Sequence, residues 1–175
     1  LSTSAQHTAR DTYYGSKKDL NAAGKTTHLT FIGGSQYVYS FDKCLFMPAD
    51  LTAGLEYNRD NLKDDMWGYN RYTRQTVNIG SAFFQNEWKN EKWSILLGGR
   101  LDKHNLINHV IFSPRANLRF NPTQDVNLRL SYSSGFRAPQ AFDEDLHIEN
   151  VGGTVSMIER AKNLKEEKSQ RFSAS

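Results

Sequence analysis

Residues 125–137 read DVNLRLSYSSGFR, and the alternation within this stretch decides the fold. Apolar side chains occupy every second position, and polar or basic side chains occupy the positions between them. The apolar set is Val126, Leu128, Leu130, Tyr132 and Phe136, and the polar set is Asn127, Arg129, Ser131, Ser133 and Arg137. Successive side chains of a strand point to opposite faces of a sheet. The stretch therefore predicts a β-strand with one apolar face and one polar, basic face.

The residues before this strand repeat the pattern. Within 114–120, Leu118 and Phe120 share one parity, whereas Arg115 and Arg119 share the other. The intervening residues 121–125, NPTQD, have the composition of a turn. Together the two stretches predict a β-hairpin in which both strands carry arginine on the same face.

Weaker alternation extends the prediction outward along the chain. Four further segments alternate in part, although Leu96 breaks the pattern of its segment and Phe83-Phe84 blurs another: 36–41, 51–58, 77–88 and 93–101. The two ends, 3–14 and 167–175, are extended by pattern but weakly apolar. We therefore predict eight strands, with no convincing amphipathic helix between them.

Composition excludes several classes of protein. The 175 residues have a mean hydropathy of −0.67, and no apolar run approaches the roughly 18 residues of a membrane helix. A transmembrane β-barrel remains open, because its alternating strands give a polar average. The net charge of +3 arises from scattered residues rather than from a basic cluster, so nucleic-acid binding has little support. The single Cys44 has no partner for a disulfide or a metal site.

The predicted connections alternate in length. We expect long connections at 15–28, 59–76, 102–113 and 138–166, and shorter ones at 42–50, 89–92 and 121–125. Outer-membrane barrels have short periplasmic turns and long extracellular loops, whereas a soluble sandwich has no reason to place its long loops at one end. The pattern therefore favours a membrane barrel.

Arginine positions fit the same interpretation. A lipid-exposed arginine at the bilayer midplane costs about 2–4 kcal/mol, whereas the lumen of a barrel tolerates it. Four arginines have the polar parity of their strands and are predicted to face the lumen: Arg100, Arg115, Arg119 and Arg129. The alternation alone also suits a soluble sheet with water on its outer face. The aromatic residues favour the membrane, because Trp88 and Trp93 flank a short turn and Tyr132 and Phe136 lie near a strand end, as in interfacial belts.

A paired motif connects the best strand to a known family. Residues 135–139, GFRAP, end that strand, and residues 163–169, NLKEEKS, follow about two dozen residues later. This pair resembles TonB-dependent outer-membrane receptors, in which a strand ending in Gly-Phe-Arg-Ala-Pro is followed by an extracellular loop and then by Asn-Leu-Lys-Pro-Glu-x-Ser. Glu166 stands where the family usually has proline, which we expect to loosen the loop exit. The matching positions, interpreted as structural, are Gly135, Phe136, Arg137, Ala138, Pro139, Asn163, Leu164, Lys165 and Glu167.

The resemblance implies an all-β, antiparallel up-and-down transmembrane barrel of about 22 strands, plugged by an N-terminal domain. It also implies a receptor in the outer membrane of a Gram-negative bacterium, surrounded by lipid and lipopolysaccharide. Such a receptor imports a scarce nutrient, for example an iron-siderophore, haem or cobalamin. The TonB energy-transducing complex drives the import through the plug. The resemblance implies no cofactor and no enzymatic activity, and no catalytic triad or dyad has motif context in these residues.

Residues 1–175 are expected to form one partial barrel domain. Eight strands are too few for a barrel of about 22, and these residues contain no signal peptide, plug or energy-coupling box. Residues 173–175 also lack the aromatic residue that commonly ends such barrels. Two alternatives stay open. One is a complete eight-stranded barrel with a structural or adhesion role, in which 3–14 would pair with 167–175. The other is a soluble β-sandwich that binds carbohydrate.

Two connections carry candidate ligand contacts. Trp67, Tyr69, Arg71 and Tyr72, beside Arg74, form an aromatic and basic cluster that suits an anionic, aromatic siderophore or a sugar face. Anchoring at the membrane interface explains the cluster equally well.

The second candidate lies within the longest connection. Its residues are Asp143, Glu144, Asp145 and His147. Clustered carboxylates suit hard cations, but a solvated loop, or one that meets cations bridging lipopolysaccharide, explains them better than a specific metal site. His104 and His109 are interpreted as ordinary loop histidines rather than as metal or haem ligands.

Overall fold

The structure, a computed structural model, describes residues 1–13, 15, 22–141 and 164–175. Its eight strands form one antiparallel sheet in which each strand pairs with its neighbours in chain order. The strands are β1 (Ser2–Tyr13), β2 (Ala23–Cys44), β3 (Met47–Met66), β4 (Arg71–Lys89), β5 (Trp93–His104), β6 (Val110–Phe120), β7 (Leu128–Arg137) and β8 (Glu167–Ala174). A short 3-10 helix, Trp67–Tyr69, joins β3 to β4. No helix of the described residues has the length and apolar character needed to cross a membrane.

The sheet confirms the prediction of eight strands in up-and-down order. It also decides against the two alternatives within the described residues. β1 and β8 lie at opposite edges of the sheet rather than paired with each other, so these strands do not close into an eight-stranded barrel. All eight strands belong to one sheet, whereas a sandwich needs two.

Cross-strand register places the apolar side chains on one face. Partners in adjacent strands point to the same side, and Leu97 lies opposite Asn86 on β4 and Ala116 on β6, which in turn lies opposite Tyr132. The strongly exposed apolar side chains of this face are Leu55, Phe84, Leu97, Leu101, Phe112, Leu128, Leu130 and Phe172. The predicted split between an apolar and a polar face therefore holds from β3 to β8.

The apolar face has the height of a membrane-spanning strand. On β5 its side chains run from Trp93 to Leu101, which matches the lower end of the roughly 9–11 residues needed to cross a bilayer. Aromatic pairs lie at one edge of this band. Trp93 stacks on Phe120 with ring centroids 4.1 Å apart, and Phe46 stacks on Trp88 at 5.7 Å. We call the strand ends joined by connections 45–46, 90–92 and 121–127 the turn end of the sheet. The opposite strand ends are the loop end.

Strands at the loop end are longer than predicted, so the lengths predicted for the connections at 15–28, 59–76 and 102–113 are wrong. β2 begins at Ala23, so residues 23–28 of the first predicted connection are strand, and β3 and β4 take up most of 59–76. The connection between β5 and β6 is also only 105–109, shorter than 121–127 at the turn end. The reason is that residues 58–65 are polar on nearly every position, which removes the alternation signal. Their backbone pairing with β4 nevertheless continues in register to Met66 opposite Arg71.

One aromatic residue departs from its predicted place. β7 pairs with β6 only as far as Ser133 opposite Arg115, and from there it continues with β8 alone. Beyond that point Phe136 packs against a small buried apolar cluster of Ile107, Ile111 and Ala138. The prediction that Phe136 joins an interfacial belt is therefore wrong, because separation of β6 from β7 lets its ring pack inside the loop end.

Candidate ligand-binding and transport surface

Arg100 forms an ion-pair network on the polar face of β3, β4 and β5. Its Nη2 donates to Glu56 Oε1 at 2.6 Å and its Nε donates to Asp102 Oδ1 at 2.8 Å. Ser81 Oγ also donates to Asp102 Oδ1, at 2.6 Å. The cross-strand register brings Glu56, Ser81 and Asp102 to one level of three adjacent strands. Arg100 therefore lies on the polar face, with its charge offset by two carboxylates.

Beyond the apolar band, the polar face contains a buried carboxylate. The Asp64 side chain is 0% exposed, and the Arg71 side chain beside it is 6% exposed. Arg71 Nη2 donates to Asp64 Oδ2 at 3.1 Å, and Thr26 Oγ1 donates to Oδ1 at 2.6 Å. Because charged groups are costly to bury unless they are paired, these contacts support strand pairing where the apolar alternation has ended.

The predicted aromatic and basic cluster is divided between two surfaces. Trp67 and Tyr69 lie in the 3-10 helix at the tip of the β3–β4 hairpin. Trp67 and Tyr72 are 53% and 55% exposed. Arg71 is buried on the polar face, whereas Tyr72 and Arg74 lie on the opposite face of β4. The structure thus brings Tyr72 and Arg74 to one surface and separates Arg71 from them. Their contact with a ligand stays a prediction.

The start of the longest connection crosses the polar face. The Gln75 side chain on β4 donates to the Ala141 carbonyl oxygen at 2.9 Å and accepts the Ala141 N–H at 2.8 Å. One residue earlier, Gln140 Oε1 lies 3.3 Å from His104 Nε2 on β5. The chain that leaves β7 thus reaches β5 and β4 over the polar side of the sheet. Neither glutamine was predicted from the sequence, because an isolated amide carries no pattern.

The two histidines considered from the sequence have separate environments. His104 is fully buried, and its Nδ1 accepts the Leu106 N–H at 3.0 Å. Its proton therefore lies on Nε2, which donates to Gln140. His109 instead lies 3.1 Å from Glu166 Oε1 near the start of β8. Within the described ranges, no group of three or more His, Cys, Asp or Glu residues is placed to hold a metal ion.

The two halves of the paired motif lie on adjacent strands. Residues 135–137 end β7, and Glu167 begins β8 directly opposite Arg137. Gly135 lies opposite Ser169, where an added Cβ would be 3.4 Å from Ser169 Oγ. Leu164 and Lys165 precede β8. Asn163 and the acidic candidates lie outside the described residues: Asp143, Glu144, Asp145 and His147. The structural role of the motif stays a prediction.

Glu166, the departure from the family motif, holds the loop exit by electrostatic contacts. Its carboxylate lies 3.1 Å from His109 Nε2 and 3.2 Å from Lys168 Nζ, and its side chain is 4% exposed. A hydrogen bond from its own backbone N–H, together with the bonds to Lys168 and His109, holds the pKa of this carboxyl below its ordinary value. The loosening expected from the missing proline is therefore countered by a link between β8 and the β5–β6 connection.

The three remaining predicted lumen arginines also lie on the polar face, toward the turn end. Arg119 on β6 lies directly opposite Arg129 on β7, and Arg115 lies opposite Ser133. Arg129 Nε donates to Asn127 Oδ1 at 2.7 Å. Four predicted arginines thus share one face across β5, β6 and β7, although the lumen itself stays a prediction.

Comparison with known proteins now adds to this geometry. Residues 1–175 match the family described as TonB dependent receptor-like, beta-barrel. The chain belongs to this family. The family consists of outer-membrane transport receptors of Gram-negative bacteria rather than enzymes, and its members act together with TonB. No curated protein and no solved structure matches the chain. The match confirms the resemblance to TonB-dependent receptors that the paired motif indicated, and it extends over all 175 residues of the chain.

Proposed function

We propose that these strands form part of the wall of an outer-membrane receptor that imports a scarce nutrient with energy from the TonB complex. The apolar face meets lipid, and the polar face lines the interior. One observation carries the proposal: the split between the faces is continuous across the cross-strand register, with leucine and aromatic side chains on one side and charged and polar side chains on the other. A receptor barrel needs both faces. Its outer face must be apolar because lipid excludes charge, and its inner face must be polar because a polar ligand passes along it.

The domain organisation follows from the same proposal. The eight strands are neighbouring strands of a barrel of about 22, and a plug occupies the interior. The polar face would then meet the plug and the passing nutrient. The chain that leaves β7 reaches Gln75 on β4 over this face, so residues 140–141 would lie at the mouth of the interior.

The loop end suggests the class of nutrient. Trp67 and Tyr72 expose more than half of their surface beyond the apolar band, and Arg74 shares a face with Tyr72. Tyr72 and Arg74 lie on the outer face, and Arg74 pairs with Asp65, so Trp67 at the hairpin tip is the residue placed to meet a ligand that enters at the loop end. Its exposed ring suits a flat, aromatic ligand. We therefore propose an aromatic iron carrier, a ferric siderophore or haem, ahead of cobalamin. The acidic residues 143–145 and His147 would meet lipopolysaccharide and its cations.

Uptake measurements test this function. Cells that lack the gene are compared with cells that carry it in full, using iron-55 siderophores, haem and labelled cobalamin as separate substrates. We expect restored uptake of one substrate class, a ferric siderophore or haem, and loss of that uptake when TonB is also deleted. Unchanged uptake of all three classes, or uptake that persists without TonB, would contradict the proposal.

A further inference from the structure

Basic side chains on the two halves of the polar face differ in how they are neutralised. On β2–β5 each lysine and arginine that the cross-strand register places on this face has a carboxylate beside it: Arg71 with Asp64, Lys89 with Asp50, and Arg100 with Glu56 and Asp102. His28 also lies beside Asp60. On β6–β8 the sequence supplies arginine on the same face but few acids. Among the described residues, no carboxylate lies within ion-pair distance of Arg115, Arg119, Arg129 or Arg171.

Arg119 and Arg129 are the most closely placed of these four. They are direct cross-strand partners, and like charges in such positions repel each other. Arg119 Nε is also buried from solvent and has no hydrogen-bond acceptor. A buried donor without an acceptor is costly, because it has lost its water without replacement. Two independent features of this pair thus indicate that an anionic acceptor belongs beside it.

The surrounding surface forms a groove suited to a small polar group. A cavity of about 410 Å³ is lined by both arginines together with Asn117, Ser131 and Ser173. This volume lies in the range of small-molecule sites. Ser131 and Ser173 share a hydrogen bond of 2.5 Å, so their hydroxyls stand side by side. Glu87 also lines the groove, but its carboxylate accepts a hydrogen bond from Ser94 at 2.6 Å. The groove therefore offers an oxyanion two guanidinium groups and one free hydroxyl donor of the serine pair.

We propose that this groove binds an oxyanion, a carboxylate or phosphate group, between Arg119 and Arg129. Guanidinium groups hold such groups through two parallel hydrogen bonds, which fits the donors available here. The inference rests on the proposed function only in taking this face as the interior of the barrel. The oxyanion comes either from a soluble anion or from an acidic side chain of a segment that occupies the interior.

Chemical modification of arginine separates these two sources. The protein is produced in full from its own gene and purified in detergent. Phenylglyoxal labelling of each arginine is then followed by peptide mass spectrometry in chloride, citrate and phosphate at equal ionic strength. If the oxyanion is soluble, citrate or phosphate should slow labelling of Arg119 and Arg129 at least fivefold. Arg171, on the same polar face, serves as the internal control and should keep its rate.

If the oxyanion belongs to the protein, Arg119 should already react slowly in chloride. The variant Arg129→Gln should then raise its labelling rate at least fivefold, because one of the two groups that hold the oxyanion has been removed. Loss of the neighbouring positive charge alone favours the protonated, unreactive guanidinium and would slow the labelling. Arg171→Gln is the matched control and should leave Arg119 unchanged. The proposal is overturned if neither added anion lowers the Arg119 rate and Arg129→Gln does not raise it.

The labelling measurements on the unaltered protein need no variant, so they still test the proposal if Arg129→Gln fails to fold. The same measurements are also independent of transport. Protection of Arg119 without nutrient uptake would refute the transport proposal alone, whereas uptake with an unprotected Arg119 would refute the oxyanion site alone.

Discussion

Replacing Leu97 by arginine is expected to lower the free energy of unfolding by about 2–4 kcal/mol, the cost of a lipid-facing arginine near the bilayer midplane. Leu97 is 51% exposed on the apolar face and lies midway between Trp93 and Leu101, the limits of the apolar band on β5. Its cross-strand neighbours, Asn86 and Ala116, offer the new charge no carboxylate. The measurement is a urea titration of the protein folded into lipid vesicles, followed by tryptophan fluorescence.

The adjacent residue provides the matched control. Leu96 is also a leucine of β5, but it lies on the polar face opposite Glu87 and Asn117. Leu96→Arg should cost clearly less than Leu97→Arg, because the new guanidinium stays on the polar face with Glu87 within reach, although it shares a groove with Arg119 and Arg129. Equal losses for Leu96→Arg and Leu97→Arg would mean that the two faces meet the same solvent, as they would in a soluble sheet.

A second large effect is expected at Gly54, where β2, β3 and β4 approach closely. An added Cβ at this position would lie 2.5 Å from the Ser35 carbonyl oxygen and 2.4 Å from Phe83 Cζ. The Phe83 ring covers the glycine from the directly opposite position on β4. Forcing extra volume into such a contact costs about 1–3 kcal/mol. Gly54→Ala should therefore destabilise the protein by this amount in the same urea titration.

Gly80 supplies the comparison for this substitution. It also lies within the sheet, on β4, but an added Cβ there would meet no atom within 4 Å. Gly80→Ala should change the free energy of unfolding by no more than about 1 kcal/mol, and a gain is expected because alanine restricts the unfolded chain. If Gly54→Ala proved as harmless as Gly80→Ala, the close approach of the strands at Gly54 would be wrong.

The alternation of the sequence predicts the part of the sheet that carries the apolar band well, because one physical requirement acts on every second residue there. Leu128 and Leu130 fall on the predicted face for this reason. The two interruptions in the pattern also have structural causes. Phe83 lies on the polar face because it covers Gly54, and Leu96 lies there between Glu87 and Asn117.

Beyond the apolar band the sequence loses its predictive power. Both faces of 58–65 carry polar residues, so the extension of β3 leaves no periodic signal and is held instead by backbone pairing. Contacts such as that of Asp64 with Arg71 depend on register, which cannot be read from either strand alone. For the same reason, the residues of the candidate ligand cluster could not be assigned to one surface from the sequence. The basic cluster 67–74 looks continuous in sequence, but strand geometry turns Arg71 away from Tyr72.

Spin labels at positions 130 and 131 test most directly whether the two faces of the sheet meet lipid and interior. Leu130 lies on the apolar face, where it is 55% exposed, and Ser131 lies on the polar face beside Ser173. For the full protein in lipid bilayers, a label at 130 should collide readily with oxygen and rarely with a water-soluble nickel chelate. A label at 131 should not show this preference for oxygen. A label at 130 that is accessible to the nickel chelate, or one at 131 that lies in lipid, would contradict the assignment of these strands to a transport barrel.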